Sequence, residues 1–164
     1  MYYFRVSIGI FIILAASRFI PHPPNFTSLL ALSFYVPALL GSRYIPAIIF
    51  SFIATDLIIG FHNIVLFTWG SVLLVGLFSR FFNLTLFSRV LGSLFGACLF
   101  FVITNFGVWS LGSYEYNING LINCYTLALP FFTYNLISTL IFAAIIETLY
   151  KIMLLKKISI LNKN

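Results

Sequence analysis

Long apolar runs separated by short polar breaks make up most of the chain. A helix needs about 20 apolar residues to cross the hydrocarbon core of a bilayer, and fewer when it is kinked or packed among neighbours. The runs therefore predict an all-α integral membrane bundle of six transmembrane helices, a single domain over residues 1–164. The predicted spans are residues 3–20, 28–41, 45–60, 64–79, 88–111 and 130–150.

Prolines mark two of the breaks in this pattern. Three of the six prolines lie in residues 18–27, and because proline fixes φ and removes a backbone donor, this stretch is predicted to be a stiff polar connection. Pro130 interrupts the last apolar stretch, so residues 120–129 are predicted to form a separate short helix or lid. Small residues recur in the fifth span at the four-residue spacing that lets helix backbones approach closely: Ser88, Gly92 and Gly96.

The first span also has features of a cleavable signal peptide. Arg5, the apolar run and the small residues Ala15, Ala16 and Ser17 are typical of one. The following Arg18–Pro21 segment is instead typical of a helix that ends at the membrane surface. We therefore favour a retained first span.

Composition and charge narrow the class further. The chain is 62% hydrophobic and 7% charged, with a mean hydropathy of +1.10, whereas a soluble domain carries roughly 25% charged residues. The net charge of +6 does not indicate a nucleic-acid partner, because the basic residues lie at the ends of the predicted helices and form no basic stripe. We expect a lipid bilayer as the surroundings and no nucleic acid as a partner.

The basic residues also predict an orientation. Cytoplasmic loops of membrane proteins are enriched in Lys and Arg. Six spans with both termini in the cytoplasm leave only Arg18 of the nine basic residues on the outer side, and an odd number of spans spoils this asymmetry. The cytoplasmic basic residues are then Arg5, Arg43, Arg80, Arg89, Lys151, Lys156, Lys157 and Lys163.

With this orientation, the unusual polar residues gather at the outer ends of the spans. Ionisable residues in or beside membrane spans are costly and usually face a bundle interior or a wet cavity. An outward-facing polar pocket is the natural inference, capped by residues 18–27 and 112–129. The candidate binding residues are Arg18, His22, Asn25, Asp56, His62, Asn105, Trp109 and Cys124.

Each candidate also has an interpretation without a ligand. Asp56 either pairs with Arg18 to close the bundle or contacts a substrate, and His62 either caps a turn or binds. Trp109 suits an interfacial aromatic belt as well as a stacking platform. For Asn105 the alternative to a ligand contact is a hydrogen bond to a neighbouring helix, and for Cys124 it is simple packing. On the inner side, Glu147 is expected to pair with Lys151 on the surface of its helix.

Motifs for catalysis are missing from the sequence. It contains no HExxH, no GxSxG and no Walker-type loop, and its three acidic residues form no evident acid–base pair. The two cysteines have no metal-ligand spacing. We expect no enzymatic activity, no cofactor and no metal, and any active transport has to take its energy from a partner.

Four motifs resemble an uncharacterised family of small bacterial membrane proteins labelled as putative transport proteins, which is similar to the S components of energy-coupling-factor importers. The resemblance implies an S-component-like bundle in the bacterial cytoplasmic membrane and the uptake of a vitamin or similar micronutrient. It also implies that all eight candidate residues match the family pattern, and that an ATPase-driven module supplies energy. The motifs begin at Arg18 (RFIPHPPNFT), Thr55 (TDLIIGFH), Thr104 (TNFGVW) and Gly120 (GLINCYTLALPFF).

Two functions therefore remain. The first is a membrane-embedded substrate-binding subunit for a small micronutrient, with a pocket that opens outward. The alternative is a structural or assembly subunit of a larger membrane complex, in which the polar residues join helices and the Phe-rich faces contact partners.

Overall fold

The computed structural model describes the backbone of residues 2–161 and the side chains of residues 3–156; Lys163 and the side chain of Lys157 lie outside these ranges. The described chain is all-α. Two short 3-10 turns, Ser42–Tyr44 and Ser79–Phe82, precede α3 and follow α4. The six helices are α1 (Tyr2–Phe19), α2 (Leu29–Leu40), α3 (Ile45–Ile59), α4 (Val65–Phe78), α5 (Leu86–Ser110) and α6 (Ile118–Leu161).

Within the described residues, four helical stretches are long and apolar enough to cross a membrane, which makes this a multi-pass membrane protein by composition. Two of them include the 3-10 turns that continue a helix. The stretches are Ser42–Ile59, Val65–Phe82, Leu86–Ser110 and Ile118–Lys156.

The shortest helix, α2, lies at the centre of the bundle. It contacts each of the other five helices, and nine of its 12 residues are buried. At 1.5 Å per residue it is about 18 Å long, whereas the hydrocarbon core is about 30 Å thick. It ends at Gly41, whose φ of 100° favours glycine. The start of α2 is buried at Ser28 and Leu29, where non-helical backbone is tolerated at membrane depth. Its end is more open, since Leu40 is 38% exposed.

The other helices surround α2 in the order α1, α3, α4, α5, α6, as their contacts show. Successive helices run in opposite directions. The start of α1 meets the end of α2, where the Tyr3 hydroxyl donates to the Arg43 carbonyl. The start of α5 meets the later part of α6 through Arg89 and Glu147.

Glycines allow the close approach of α5 to its neighbours, as their spacing predicted. A Cβ at Gly92 would lie 2.5 Å from the Phe34 ring of α2 and from the Phe82 Cβ. A Cβ at Gly96 would lie 2.9 Å from Val75 of α4. Ser88 has a different role, because its backbone N–H is capped by the Thr85 hydroxyl at the helix start.

The predicted division of the last apolar stretch at Pro130 is wrong. Residues 118–161 form one continuous helix with Pro130 inside it. A proline removes only its own N–H from the helical ladder, and membrane helices accommodate this by small local adjustments. Residues 120–129 are therefore the first turns of α6, and no separate helix precedes it.

Replacing Gly92 with Ala is expected to lower the melting temperature in detergent, because the new methyl group overlaps Phe82 close to its backbone. Overpacking of this kind costs about 1–3 kcal/mol. Gly70→Ala in α4 is the matched control, since nothing lies within 4 Å of its Cβ position. Equal melting temperatures for Gly92→Ala and the unmodified protein would contradict the packing described for α5.

Candidate functional site

An ion pair joins the ends of α1 and α3. Arg18 Nη2 lies 2.6 Å from Asp56 Oδ1. Trp69 of α4 donates from Nε1 to the other carboxylate oxygen, Oδ2, at 2.7 Å. The Asp56 side chain is 1% exposed, and both of its oxygens have partners. Of the two interpretations of Asp56, pairing with Arg18 is therefore the one found in the structure.

Arg18 makes further contacts with α3. Its Nη1 donates to the Thr55 hydroxyl and, at 3.4 Å, to the Phe52 carbonyl. The guanidinium also lies 4.7 Å from the centre of the Phe52 ring, a cation–π distance. Three of the five N–H groups of a guanidinium are thus occupied. The other two remain for a ligand or water.

The connection between α1 and α2 is held at both ends. The hydroxyls of Ser17 and Ser28 lie 2.7 Å apart, and the Ser28 backbone N–H donates to the Ser17 hydroxyl. Between them, the Phe26 N–H donates to the Pro23 carbonyl, closing a turn. Asn25 occupies the third position of this turn with φ of 63°, a conformation that Asn tolerates better than most residues. The prolines thus lie in a non-helical connection that contains a turn, and its stiffness stays a prediction.

A cavity of about 310 Å³ lies between this connection and the first turn of α2. All six helices or the connections beside them contribute to its wall. The lining residues are Arg18, His22, Asn25, Thr27, Leu29, Leu30, Phe52, Ile59, His62, Thr68, Phe100 and Asn135.

The cavity contains a buried amide that the sequence analysis missed. Asn135 of α6 is 6% exposed and lines the cavity, and its side-chain amide has no hydrogen-bond partner among the described residues. An amide that faces the cavity without a protein partner is open to hydrogen bonding, so a molecule in the cavity that pairs with it gains affinity. The sequence does carry a signal for Asn135, because it lies within a long apolar run. The same signal is the basis for predicting Asn105 as a binding residue.

Histidines contribute to the rim of the cavity. His22 Nδ1 lies 2.7 Å from the Pro23 carbonyl oxygen. Because a carbonyl can only accept, Nδ1 carries the hydrogen, and Nε2 of the neutral ring is left as an acceptor. His62, in the turn after α3, is exposed on the same cavity. Its backbone carbonyl accepts from the Val65 N–H at the start of α4.

The structure divides the eight predicted residues into two groups. Arg18, His22, Asn25 and His62 line the cavity, and Asp56 lies beneath Arg18. The other three lie together where α5 ends and α6 begins, away from the cavity lining, and none of residues 112–129 belongs to that lining. These three are Asn105, Trp109 and Cys124.

Backbone carbonyls are the partners of this second group. Asn105 Nδ2 donates to the Phe101 carbonyl of its own helix at 2.7 Å, and Trp109 Nε1 donates to the Glu115 carbonyl at 3.0 Å. The Cys124 thiol lies 3.4 Å from the Asn105 carbonyl and is buried. Within the described residues, no group of three or more His, Cys, Asp or Glu side chains is placed to hold a metal ion.

A second ion pair lies toward the other end of the bundle. Arg89 of α5 donates from Nε and Nη2 to the two carboxylate oxygens of Glu147, at 2.6 and 2.7 Å. Both side chains are 9% exposed. The expected pairing of Glu147 with Lys151 is therefore wrong, because Glu147 faces the interior and the bidentate geometry of Arg satisfies it there.

A family model matches residues 2–161, nearly the whole chain, and its description is "family of unknown function (DUF6580)". The chain belongs to this family. Neither the curated proteins nor the solved structures contain a match to the chain. Membership in the DUF6580 family therefore brings no assigned activity, and a functional hypothesis has to be built from the cavity.

Breaking the Arg18–Asp56 pair is expected to destabilise the fold, because removing one partner leaves the other charge uncompensated. Asp56→Asn is expected to cost about 3–5 kcal/mol, measured by chemical unfolding in detergent. Adding Arg18→Gln to Asp56→Asn should recover part of this loss, so the two effects should not add.

Glu115→Gln provides the control for this cycle. Glu115 is exposed in the connection before α6, and its substitution is expected to change stability by less than about 0.5 kcal/mol. Strictly additive effects of Arg18→Gln and Asp56→Asn would show that the two charges do not stabilise one another.

Proposed function

We propose that the protein is a membrane-embedded substrate-binding subunit for the uptake of a small micronutrient such as a vitamin. The observation that carries this proposal is the cavity of about 310 Å³ with the Asn135 amide in its wall, free of protein hydrogen-bond partners among the described residues. Small-molecule sites are mostly apolar concave pockets with a few convergent polar groups. The cavity has this character, since aromatic and aliphatic side chains share its wall with a few polar ones.

The distribution of charge supports an outward-facing cavity in a six-span arrangement. Arg18 lies at the end of the bundle that holds the cavity. The other basic residues within the described side chains lie at or toward the opposite end, as expected if that end is cytoplasmic. In this proposal both termini are cytoplasmic and the membrane is the bacterial cytoplasmic membrane. These opposite basic residues are Arg5, Arg43, Arg80, Arg89, Lys151 and Lys156.

The size of the cavity limits the substrate. Its volume is at the lower end of the roughly 300–1,000 Å³ typical of ligand pockets. A corrinoid is far larger than this, and Cys124, whose thiol could have served as a ligand to the cobalt of a corrinoid, does not line the cavity. The proposal is therefore restricted to a compact micronutrient.

An energy source has to come from elsewhere. The sequence has no nucleotide-binding loop, so transport against a gradient requires an ATPase-driven partner, and without one the protein acts as a slow solitary carrier. The resemblance to S components of energy-coupling-factor importers supports the first of these arrangements.

A structural or assembly subunit is the second candidate. The two interhelical ion pairs, Arg18–Asp56 and Arg89–Glu147, favour it because both join helices without needing a ligand. Purification in a mild detergent distinguishes the candidates. A stoichiometric complex with proteins unrelated to transport, and an empty cavity, would favour this second function.

Binding is expected to depend on Asn135. Asn135→Ala should weaken the affinity for the physiological ligand about tenfold or more, because the ligand loses a hydrogen bond to a buried group. The measurement is mass spectrometry of the co-purified small molecule, followed by titration of that molecule into each variant.

Asn105→Ala is the matched control on the neighbouring helix. It removes the same amide, but from a side chain that bonds to its own helix outside the cavity. If Asn105→Ala weakened the affinity for the ligand and Asn135→Ala did not, the binding site would lie outside the cavity. The absence of any co-purified or titrated small-molecule ligand would contradict the proposed function.

A further inference from the structure

The charge balance of the cavity restricts the chemistry of its ligand. Arg18 is the only Lys, Arg, Asp or Glu residue in the described lining. Its charge is already balanced by Asp56, which lies 2.6 Å away and is itself 1% exposed. The wall of the cavity therefore carries no net charge.

This balance disfavours an anionic ligand. Moving a carboxylate or phosphate out of water is costly unless a counter-charge compensates it. Here the only cation is paired, and its partner Asp56 would repel the incoming anion. Binding of a cationic ligand is also disfavoured, because both Asp56 oxygens already have partners in Arg18 and Trp69.

The first turn of α2 adds a partial charge. Leu29 and Leu30 line the cavity, and the start of a helix carries about half a positive elementary charge. The Leu29 N–H already donates to the Thr27 hydroxyl at 3.4 Å, so part of this donor capacity is used. The partial charge favours the oxygen of a carbonyl dipole. It falls short of the full counter-charge that a desolvated anion requires.

Free hydrogen-bonding groups of both kinds remain in the wall. Arg18 has two unoccupied N–H groups, His22 offers Nε2 as an acceptor, and the Asn135 amide offers both a donor and an acceptor. Two aromatic rings, Phe52 and Phe100, also line the cavity and suit a flat molecule.

We propose that the ligand is a small, uncharged, ring-shaped molecule with both hydrogen-bond donors and acceptors, such as an amide-bearing or hydroxyl-bearing heterocycle. This inference rests on the proposed function and specifies the substrate class of the same cavity. It excludes carboxylated and phosphorylated forms of such molecules.

Two matched pairs of probes test whether the cavity prefers uncharged ligands to anionic ones. Nicotinamide and nicotinate differ by an amide against a carboxylate, and pyridoxine and pyridoxine 5′-phosphate differ by a phosphate. Each is titrated into the full-length protein in nanodiscs, with affinity read by calorimetry or thermal shift. We expect the neutral member of at least one pair to bind, at least tenfold more tightly than its anionic partner.

A variant with an added cation provides the second measurement. His62→Arg places a new charge on the exposed rim, where it leaves the Arg18–Asp56 pair unchanged. It should shift the preference within each pair toward the anionic member by tenfold or more. An unchanged preference would show that charge balance does not govern selectivity.

The outcomes separate this inference from the proposed function. Equal or tighter binding of the anionic members to the unmodified protein overturns the inference, and so does the failure of both neutral probes to bind. A charged micronutrient identified as the co-purified ligand also overturns it, while the proposed function then stands. A neutral co-purified ring compound supports both.

Discussion

The length of the central helix sets the position of the cavity. A helix of about 18 Å cannot cross a hydrocarbon core of about 30 Å by itself, so α2 depends on the five helices around it. Those helices all have more residues than α2. The connection of residues 20–28 precedes α2, and the cavity lies between this connection and the first turn of α2, with polar residues in its wall.

The burial of charged groups beside the cavity explains the ion pair between Arg18 and Asp56. Arg18 and Asp56 come from two neighbouring helices whose ends lie side by side, and neither side chain is well exposed. In a low-dielectric setting each charge requires the other, and Trp69 and Thr55 add one hydrogen bond to Asp56 and one to Arg18, respectively. The result is an arginine held in one orientation, with part of its guanidinium directed to the cavity.

The second ion pair, toward the opposite end of the bundle, also compensates a buried charge with an opposite charge from another helix. Arg89 and Glu147 form a bidentate contact between α5 and α6, and together with the glycine contacts of α5 it keeps these helices close. Buried pairs of this kind add little net stability compared with apolar packing, but they are costly to break. They therefore restrict which helices can be neighbours.

Three sequence signals predict much of the fold. Apolar run lengths predict the membrane class and the six helices with their approximate ends, prolines predict the non-helical connection after α1, and glycines predict the close packing of α5. The same signals mislead at Pro130, because a proline weakens a helix locally and the packing of α6 against α2 and α5 decides whether it continues. The cavity could be predicted only in part. Ionisable and amide residues near helix ends indicate polar burial, which is why four lining residues and Asp56 were found.

Tertiary structure alone decides which buried polar residues meet. Asn105 and Asn135 both occur in apolar runs, yet one bonds to its own helix and the other faces the cavity without a partner. The difference depends on the rotation of each helix about its axis. A helix that is apolar all round carries no periodic signal for that rotation, so only the packing of the six helices determines which face lines the cavity.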